Sequence, residues 1–461
     1  MSACIPCENC VKTLYHTRPF PCKNIFSESI KQMFDNGKKM RYNGGMISME
    51  RLSLLTESAK FDVSCSSSGS NRKNTGGMGN GYVAGCCHSF TPDGRCISLL
   101  KILLSNDCVF DCKYCVNRCS RDVPRASATP EEIAELTMDF YMRNYIEGLF
   151  LSSAVHRSPN YTMEQLFLTV KKLRTECRFH GYIHVKAIPY ADEGLVHETA
   201  RYADRMSYNV ELPSEQSLKL LAPQKSKESV LLPITRLARE KVIFKGEKRK
   251  GLFLPAGQTT QMIVGASPEP DGQILRLSQN LYRAAGLKRV YYSSYVPVVH
   301  DSLLPDIPSR AIREHRLYQA DWLLRFYGFT AEEIVDGNGN LSPEFDPKCA
   351  WALKNMHLFP VEVNRAPLEV LLRVPGIGAR SAYKIIEARK YSSLTFEHLK
   401  KMRVVLKRAR HFITAGGRFY GAKNELAVRG LLAAGERAEN AEQLSLFTEL
   451  AAARSALTGE L

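Results

Sequence analysis

Short apolar runs alternate with longer segments of helical period from Cys96 to about Val299. The runs Ile97–Leu104, Gly148–Leu151, Tyr182–Ala187, Tyr208–Glu211, Thr260–Gly265 and Arg289–Tyr295 read as strands. Between them, Pro130–Asn144 and Met163–Phe179 read as helices. Thr129-Pro130-Glu131-Glu132 has the make-up of a helix start, with a capping hydroxyl, proline at the first position and early acids. Strands alternating with helices form βαβ units on a parallel sheet, so the segment predicts an α/β fold. Six such units predict a partial (βα)6 TIM-like barrel over residues 96–300.

The pattern changes on both sides of this segment. Met49–Phe61 carries Leu52, Leu55 and Ala59 on one helical face, and residues 64–85 have the Gly, Ser and Asn content of a loop. Residues 46–95 therefore read as a Gly/Ser/Cys-rich segment packing on the barrel. Residues 1–45 read as a poorly structured extension. Residues 301–355 read as a helical connector, 356–422 as a small all-α basic domain, and 423–461 as a partly helical tail.

Composition narrows the classes. The chain has 461 residues, 44% of them hydrophobic, which is globular and long enough for two or three domains. The net charge of +16 calls for an anionic partner, either nucleic acid or a membrane surface. No apolar run approaches the ~18 residues of a membrane span. The N-terminus lacks the charged-then-apolar order of a secretory signal. The expectation is a cytoplasmic protein with no membrane partner. Twelve of the 14 cysteines fall between Cys4 and Cys119. Packing would spread them, and a large chain without an export signal is not expected to use disulfides. Metal or redox chemistry is the reading that remains.

The sharpest motif is Cys108-Val-Phe-Asp-Cys112-Lys-Tyr114-Cys115. Three cysteines in one tight loop can hold a [4Fe–4S] cluster and leave one iron without a protein ligand. A zinc site completed by Cys119 is the alternative. The spacing, with an aromatic residue before the third cysteine and a strand before the loop, resembles the radical S-adenosylmethionine (SAM) superfamily. That resemblance implies that SAM chelates the open iron through its amino and carboxylate groups. Reduction then yields a 5′-deoxyadenosyl radical that abstracts hydrogen. It also implies cofactor contacts from Tyr114, from Ser152 and Ser153 at the end of the second strand, and from Asn209 and Glu211 at the end of the fourth. Gly265 and Glu269, in a run similar to the superfamily's adenine-flanking strand, complete the set. Apart from Tyr114, each of these positions also reads as an ordinary strand end.

A second motif is Val374-Pro375-Gly376-Ile377-Gly378-Ala379-Arg380-Ser381-Ala382-Tyr383-Lys384, which closely resembles the helix-hairpin-helix family. Glycines in the turn let backbone N–H groups approach a phosphate, and the following helix adds its dipole. Ile377 anchors the turn, while Arg380, Ser381 and Lys384 are candidate backbone contacts. Residues 371–430 hold 14 Lys and Arg against three Glu, a net +11. Sequence-independent DNA binding is the expectation, and a protein-contact hairpin is the alternative.

Together with the runs Asp62–Ser70, Cys87–Cys96 and Asp111–Arg118, these motifs resemble one bacterial family of DNA modification or repair radical SAM proteins with a C-terminal helix-hairpin-helix. The family implies a uracil-DNA-glycosylase-like partner and an electron donor such as flavodoxin or ferredoxin. It does not imply a substrate. Its pattern starts near Met46, which makes residues 1–45 a candidate mis-assigned start. In the tail, Gln443-Leu444-Ser445-Leu446-Phe447 resembles the pentapeptide that binds the bacterial sliding clamp; an apolar helical stripe is the alternative. Cys65, Cys86, Cys87 and Cys96 are either ligands of a second cluster, radical hydrogen donors or buried thiols. Cys87 and Tyr292 are the catalytic candidates, Tyr292 as a hydrogen-atom relay or a buried strand residue. The sequence thus reads as a DNA-acting radical SAM enzyme. RNA modification and a non-catalytic metal-containing DNA adaptor are the other two readings.

Overall fold

A computed structural model describes residues 47–59, 86–90, 96–247, 251, 253–422 and 424–444, with no side-chain detail at 86–90, 96–97 and 436–444. The chain divides into two compact units. The first holds the described residues up to Ser267 and Ala284–Pro308. The second holds Pro268–Arg283 and the described residues from Ser309 onward.

The first unit begins with helix α1 (Met49–Ser58), which buries Leu52 and Leu55. Strand β1 (Cys86–Phe90), which the hydrophobic pattern does not predict, pairs antiparallel with β2 (Cys96–Leu103). From there the chain repeats: α2 (Pro130–Met142), β3 (Gly148–Ser152), α3 (Pro159–Thr175), β4 (Tyr182–Lys186), α4 (Glu193–Ala200), β5 (Arg205–Ser207), α5 (Glu215–Leu221), α6 (Glu228–Gly246) and β6 (Gly257–Val264). Helix α7 (Asp271–Ala285), which belongs to the second unit up to Arg283, then leads to β7 (Arg289–Ser294) of the first. Strands β2 to β7 are parallel and lie in chain order, the six-stranded half-barrel that the alternation predicts.

The helix start at Thr129 has the expected form, a capping box with Glu132. Two elements fall elsewhere than predicted. Helix α3 begins at Pro159, four residues before Met163, because Ser158 Oγ caps it by accepting from Tyr161 N–H (3.2 Å). The fifth strand of the sheet is Arg205–Ser207, not Tyr208–Glu211. The Asp204 carboxylate fixes that register by accepting from Ile183 N–H (2.8 Å) and Arg174 (2.7 Å). Beyond it, Val210 N–H goes to the Thr260 hydroxyl (3.1 Å), and only an isolated bridge joins Glu211 to Met262.

Successive strand residues point to opposite faces. One face carries Ile102, Leu151, Val185, Met206, Met262 and Tyr292, all but fully buried. The helices lie on this side, where Gln258 donates to the Ile234 carbonyl of α6 (3.0 Å). The other face mixes the apolar Leu99, Leu103 and Phe150 with polar and charged residues such as Lys101, His184, Arg205 and Thr259.

The second unit contains α8 (Ala311–Phe326), α9 (Ala331–Ile334), α10 (Pro347–Lys354), β8 (Val361–Glu362), α11 (Leu368–Arg373), α12 (Ala379–Ala388), α13 (Phe396–Lys401), α14 (Leu406–Ala409), β9 (Ile413–Ala415), β10 (Arg418–Phe419) and α15 (Glu425–Leu444). Its small sheet, ordered β10-β9-β8, is absent from the all-α expectation. Strands of two or three residues are too short to show a period. Edge-to-face rings Phe329, Trp351, Phe359 and Phe412 form a chain through the core, with centroids 5.4, 6.4 and 5.1 Å apart. From Ser309 onward, the segment read as a connector shares one unit with the basic hairpin.

Candidate functional site

Beyond β2 the chain enters the loop that carries the three cysteines. Asn106 and Arg125 tie its base. Asn106 accepts from Ala126 N–H (2.7 Å) and donates to the Pro124 carbonyl (3.0 Å). The Arg125 guanidinium donates to the carbonyls of Asn106, Asn117, Arg118 and Arg121 at 2.8–2.9 Å. Val109 N–H reaches the Val155 carbonyl just past β3 (2.8 Å), and Lys113 N–H reaches the Leu221 carbonyl (2.7 Å). Arg118 pairs with Asp301 (2.8 Å). Inside the loop, Phe110 N–H points at Cys108 Sγ and Asn117 N–H at Cys115 Sγ, each at 3.4 Å. Cys112 is buried, Cys108 and Cys115 are half-buried, and Cys119 is exposed.

Burial pushes the Cys112 thiol up, against the pull of the Lys225 ammonium. Burial likewise pushes Cys115 up to about 12. Lys225 and Glu211 form an ion pair at 2.9 Å, with side chains 13% and 9% exposed. Desolvation opposes the Lys225 charge, and Glu211 and the Cys112 sulfur outweigh it, so the ammonium stays charged. Glu211 adopts a left-handed backbone (φ 62°) that places it between its hydrogen bonds to Gln261 and Ile263. The Tyr114 hydroxyl is buried near Cys112 and Glu211, which holds it well above the usual phenol range.

This donor set fits a cluster bound through Cys108, Cys112 and Cys115. N–H groups aimed at sulfur and a buried cation both favour thiolate. Among the described residues, no three His, Cys, Asp or Glu side chains are placed to hold a metal ion. Cluster cysteines bind separate irons and need not converge, whereas the four ligands of zinc must.

The structure brings Cys112, Tyr114 and Glu211 together. Ser152 is buried at the end of β3, and Ser153 Oγ donates to the Ala154 carbonyl (2.7 Å). Asn209 is buried, with Nδ2 3.5 Å from Gln261 Oε1. Gly265 follows β6 with φ 89°. Glu269 belongs to the second unit, where its carbonyl accepts from Arg313 (2.7 Å). Tyr292 is fully buried on the helix-covered face of the sheet. Cys87 and Cys86 lie on β1 without described side chains, and Cys65 lies outside the described residues. Arg125, Lys225 and Asn106 are missing from the sequence reading, since a single arginine, lysine or asparagine carries no local signal.

In the second unit, α11 and α12 flank the turn Val374–Gly378. Gly376 has φ 85°, and a Cβ there would meet the Val405 carbonyl at 2.5 Å. Gly378 has φ −79°, so the turn does not need its conformational freedom. Pro375 and Ile377 are buried. Lys348 Nζ donates to the Ile377 carbonyl (2.6 Å), and the Tyr327 hydroxyl accepts from Ala379 N–H (3.1 Å). Ser381 departs from its expected role. It is buried and donates to the Met402 carbonyl (3.0 Å), which takes it off the surface. Arg380 is half-buried, and Lys384, Lys400, Lys401, Arg403, Lys407 and Arg410 are exposed. Arg373, Arg389 and Arg408 are committed internally, to Glu333 (2.7 Å), to the Val363 and Ala366 carbonyls, and to Asp346 (2.8 Å). Gln443 and Leu444 end α15 without described side chains, and Leu446 and Phe447 lie outside the described residues.

No protein-family model matches the chain, and no curated protein sequence matches it. Solved structures resemble it at low identity. HydG, a maturase of the [FeFe]-hydrogenase, is 14% identical over 48% of each chain, with a TM-score of 0.35. The present chain thus spans about half of that protein. Methylornithine synthase (PylB) is 14% identical over 49% of this chain and 61% of its own, with a TM-score of 0.37. A radical SAM methyltransferase from Sphaerobacter thermophilus is 14% identical over 52% and 70%, with a TM-score of 0.35. Likenesses this distant carry no functional argument. Among the described residues, no helix is long and apolar enough to cross a membrane.

Proposed function

We propose that the chain is a radical SAM enzyme acting on DNA, to modify or repair a base or sugar. The observation that carries the chemistry is the Cys108, Cys112, Cys115 loop, placed directly after the first parallel strand of a six-stranded half-barrel. Catalytic groups gather at the carboxyl ends of strands in such folds. When bound, the [4Fe–4S] cluster and SAM supply a 5′-deoxyadenosyl radical that abstracts a hydrogen atom. The residues of the chain do the rest. The three thiolates hold the cluster, and Arg125 and Asn106 hold the loop that presents them. The Lys225–Glu211 pair fixes charge beside Cys112, with Tyr114 and Asn209 nearby. The hairpin turn and the exposed lysines and arginines around it bind phosphate without reading sequence. A cytoplasmic location, a glycosylase-like partner, the sliding clamp and a flavodoxin or ferredoxin donor belong to the same proposal.

Anaerobic reconstitution tests the chemistry. A 4Fe–4S spectrum and reductant-dependent release of 5′-deoxyadenosine are expected; absence of both from the folded wild type sinks the enzyme reading. Cys112→Ala should abolish both and leave duplex binding intact. Anisotropy of a labelled 20-base-pair duplex against RNA of the same length tests the target. Tighter binding of RNA would overturn the DNA reading.

A further inference from the structure

Among the described residues five aromatic rings are exposed, and four of them, Tyr383, Tyr391, Phe419 and Tyr420, lie in the basic part of the second unit. Three of the four gather at one tip. Strands β9 and β10 meet there in the turn Gly416–Gly417, with φ values of 60° and 74°. The Glu362 carboxylate accepts from both glycine N–H groups (3.1 and 3.0 Å). Asn364, two residues on, clamps the loop before α13. It accepts from Leu394 N–H (2.7 Å) and donates to the Leu394 carbonyl (3.1 Å). Loop and turn thus share one brace, and they are neighbours: a Cβ on Gly416 would lie 3.9 Å from Ser393 Oγ. Tyr391 precedes Ser393 by two residues, at most ~7 Å of chain. From the strand side, the rings of Tyr420 and Phe396 stand edge to face with centroids 4.7 Å apart. Tyr391 is 87% exposed and Tyr420 56%.

Exposed aromatic rings gathered on a braced backbone mark an interaction surface. The charge around them selects the occupant. Residues 391–420 hold seven Lys and Arg against one Glu, and Lys390 and Arg418, next to the rings in the chain, are exposed. Single-stranded nucleic acid suits both features, since its bases stack on rings while cations take its backbone. An intact duplex hides the faces of its bases within its own stack, so the rings reach only unpaired bases.

We propose that Tyr391 and Tyr420 stack on unpaired nucleobases, so that the second unit prefers DNA with a single-stranded gap to intact duplex. That the ligand is DNA rests on the reading above, which the hairpin carries; the preference for unpaired bases rests on the tip.

The test is fluorescence anisotropy of the full chain with three labelled DNAs at one salt concentration. These are an intact 20-base-pair duplex, the same duplex with a four-nucleotide gap, and the gapped duplex with abasic residues in the gap. The gapped duplex should bind about tenfold tighter than the intact one. The abasic gap keeps the phosphates and the flexibility but offers no bases, and should lose that preference. Tyr391→Ala and Tyr420→Ala should each weaken gap binding about five- to tenfold, the worth of one stacked base, and leave intact-duplex binding unchanged. Tyr391→Phe keeps the ring and should bind like the wild type. Tyr391→Ala touches the more exposed ring and serves where Tyr420→Ala misfolds. Equal affinity for gapped and intact duplex, an abasic gap bound as tightly as one with bases, or full gap affinity in both alanine variants would each overturn the proposal; the last is the behaviour of rings that dock a protein. Duplex bound without a gap preference sinks the tip alone. No DNA bound by the folded chain sinks the DNA reading and the tip with it.

Discussion

Two residues illustrate what single side chains do here. Arg125 satisfies four carbonyls of the cysteine loop at once. Arg125→Ala leaves those acceptors unpaired, and an expected loss of about 2–4 kcal/mol follows from bonds to a charged donor. Thermal unfolding should show the loss, and iron content per chain should fall with it. Gly376 is needed for a different reason. Its φ of 85° and the Val405 carbonyl 2.5 Å from a would-be Cβ exclude any side chain. Gly376→Ala should cost about 1–3 kcal/mol in strain and weaken duplex binding without touching the cluster spectrum. Gly378→Ala, at an ordinary φ, should cost less in a denaturant titration. The motif Pro-Gly-Ile-Gly makes both glycines look equivalent; only the backbone angles separate them.

At the scale of elements, two ionisable groups tie secondary structure together, and both make stability rise with pH, in separate windows. Burial favours the neutral Glu362 carboxyl, but N–H groups of Gly417 and Asn364, with the Asn364 and Thr414 side chains, outweigh it and bring it down to about 2. This bond set joins β8 to the β9–β10 turn. A carboxyl lowered on folding stabilises fully above its unfolded value and loses that contribution as pH falls toward 2. Glu362→Gln should therefore flatten the acid limb of the unfolding curve. Lys348, pinned on the Ile377 carbonyl, is brought down to about 7 by burial. Between pH 7 and its unfolded value of 10.5 the unfolded chain binds a proton that the folded chain lacks, so stability rises with pH there. Lys348→Met should remove that part of the rise, read as the difference in Tm between pH 7 and 9. Helix α2 was legible because its capping box is local. The fifth strand was not, because Asp204 sets its register through residues 21 and 30 positions away.

At the scale of the molecule, charge and connectivity divide the chain differently. The net +16 concentrates around the hairpin, where residues 371–430 carry +11, and residues 431–461 carry two Arg against five Glu. Arg373, Arg389 and Arg408 are held internally, so fewer than 14 cations are available to phosphate. The slope of log affinity against log salt should accordingly count the exposed set, and Lys400→Glu should lower it by about one or more. The second unit also borrows a helix from within the barrel sequence. Asp271 of α7 pairs with Arg313 (2.7 Å) and accepts from Leu341 N–H (3.0 Å), and Gln279 accepts from Ala331 N–H (3.1 Å). A fragment of residues 309–444 lacks these partners. It should unfold at a lower temperature than the same unit in the full chain, by differential scanning calorimetry.

The sequence by itself determined what depends on neighbours a few positions apart: the alternation of strands and helices, the Thr129 cap, the spacing of Cys108, Cys112 and Cys115, and the Pro375–Gly378 turn. These follow from backbone sterics and from side-chain periods of 2 and 3.6. The tertiary structure alone decided the rest. It paired Lys225 with Glu211 beside Cys112, put Arg125 under the cysteine loop, turned Tyr292 toward the helices and buried Ser381. Each of those outcomes depends on strand register and burial. A shift of one residue would send every side chain on a strand to the opposite face, and no local pattern records which register wins.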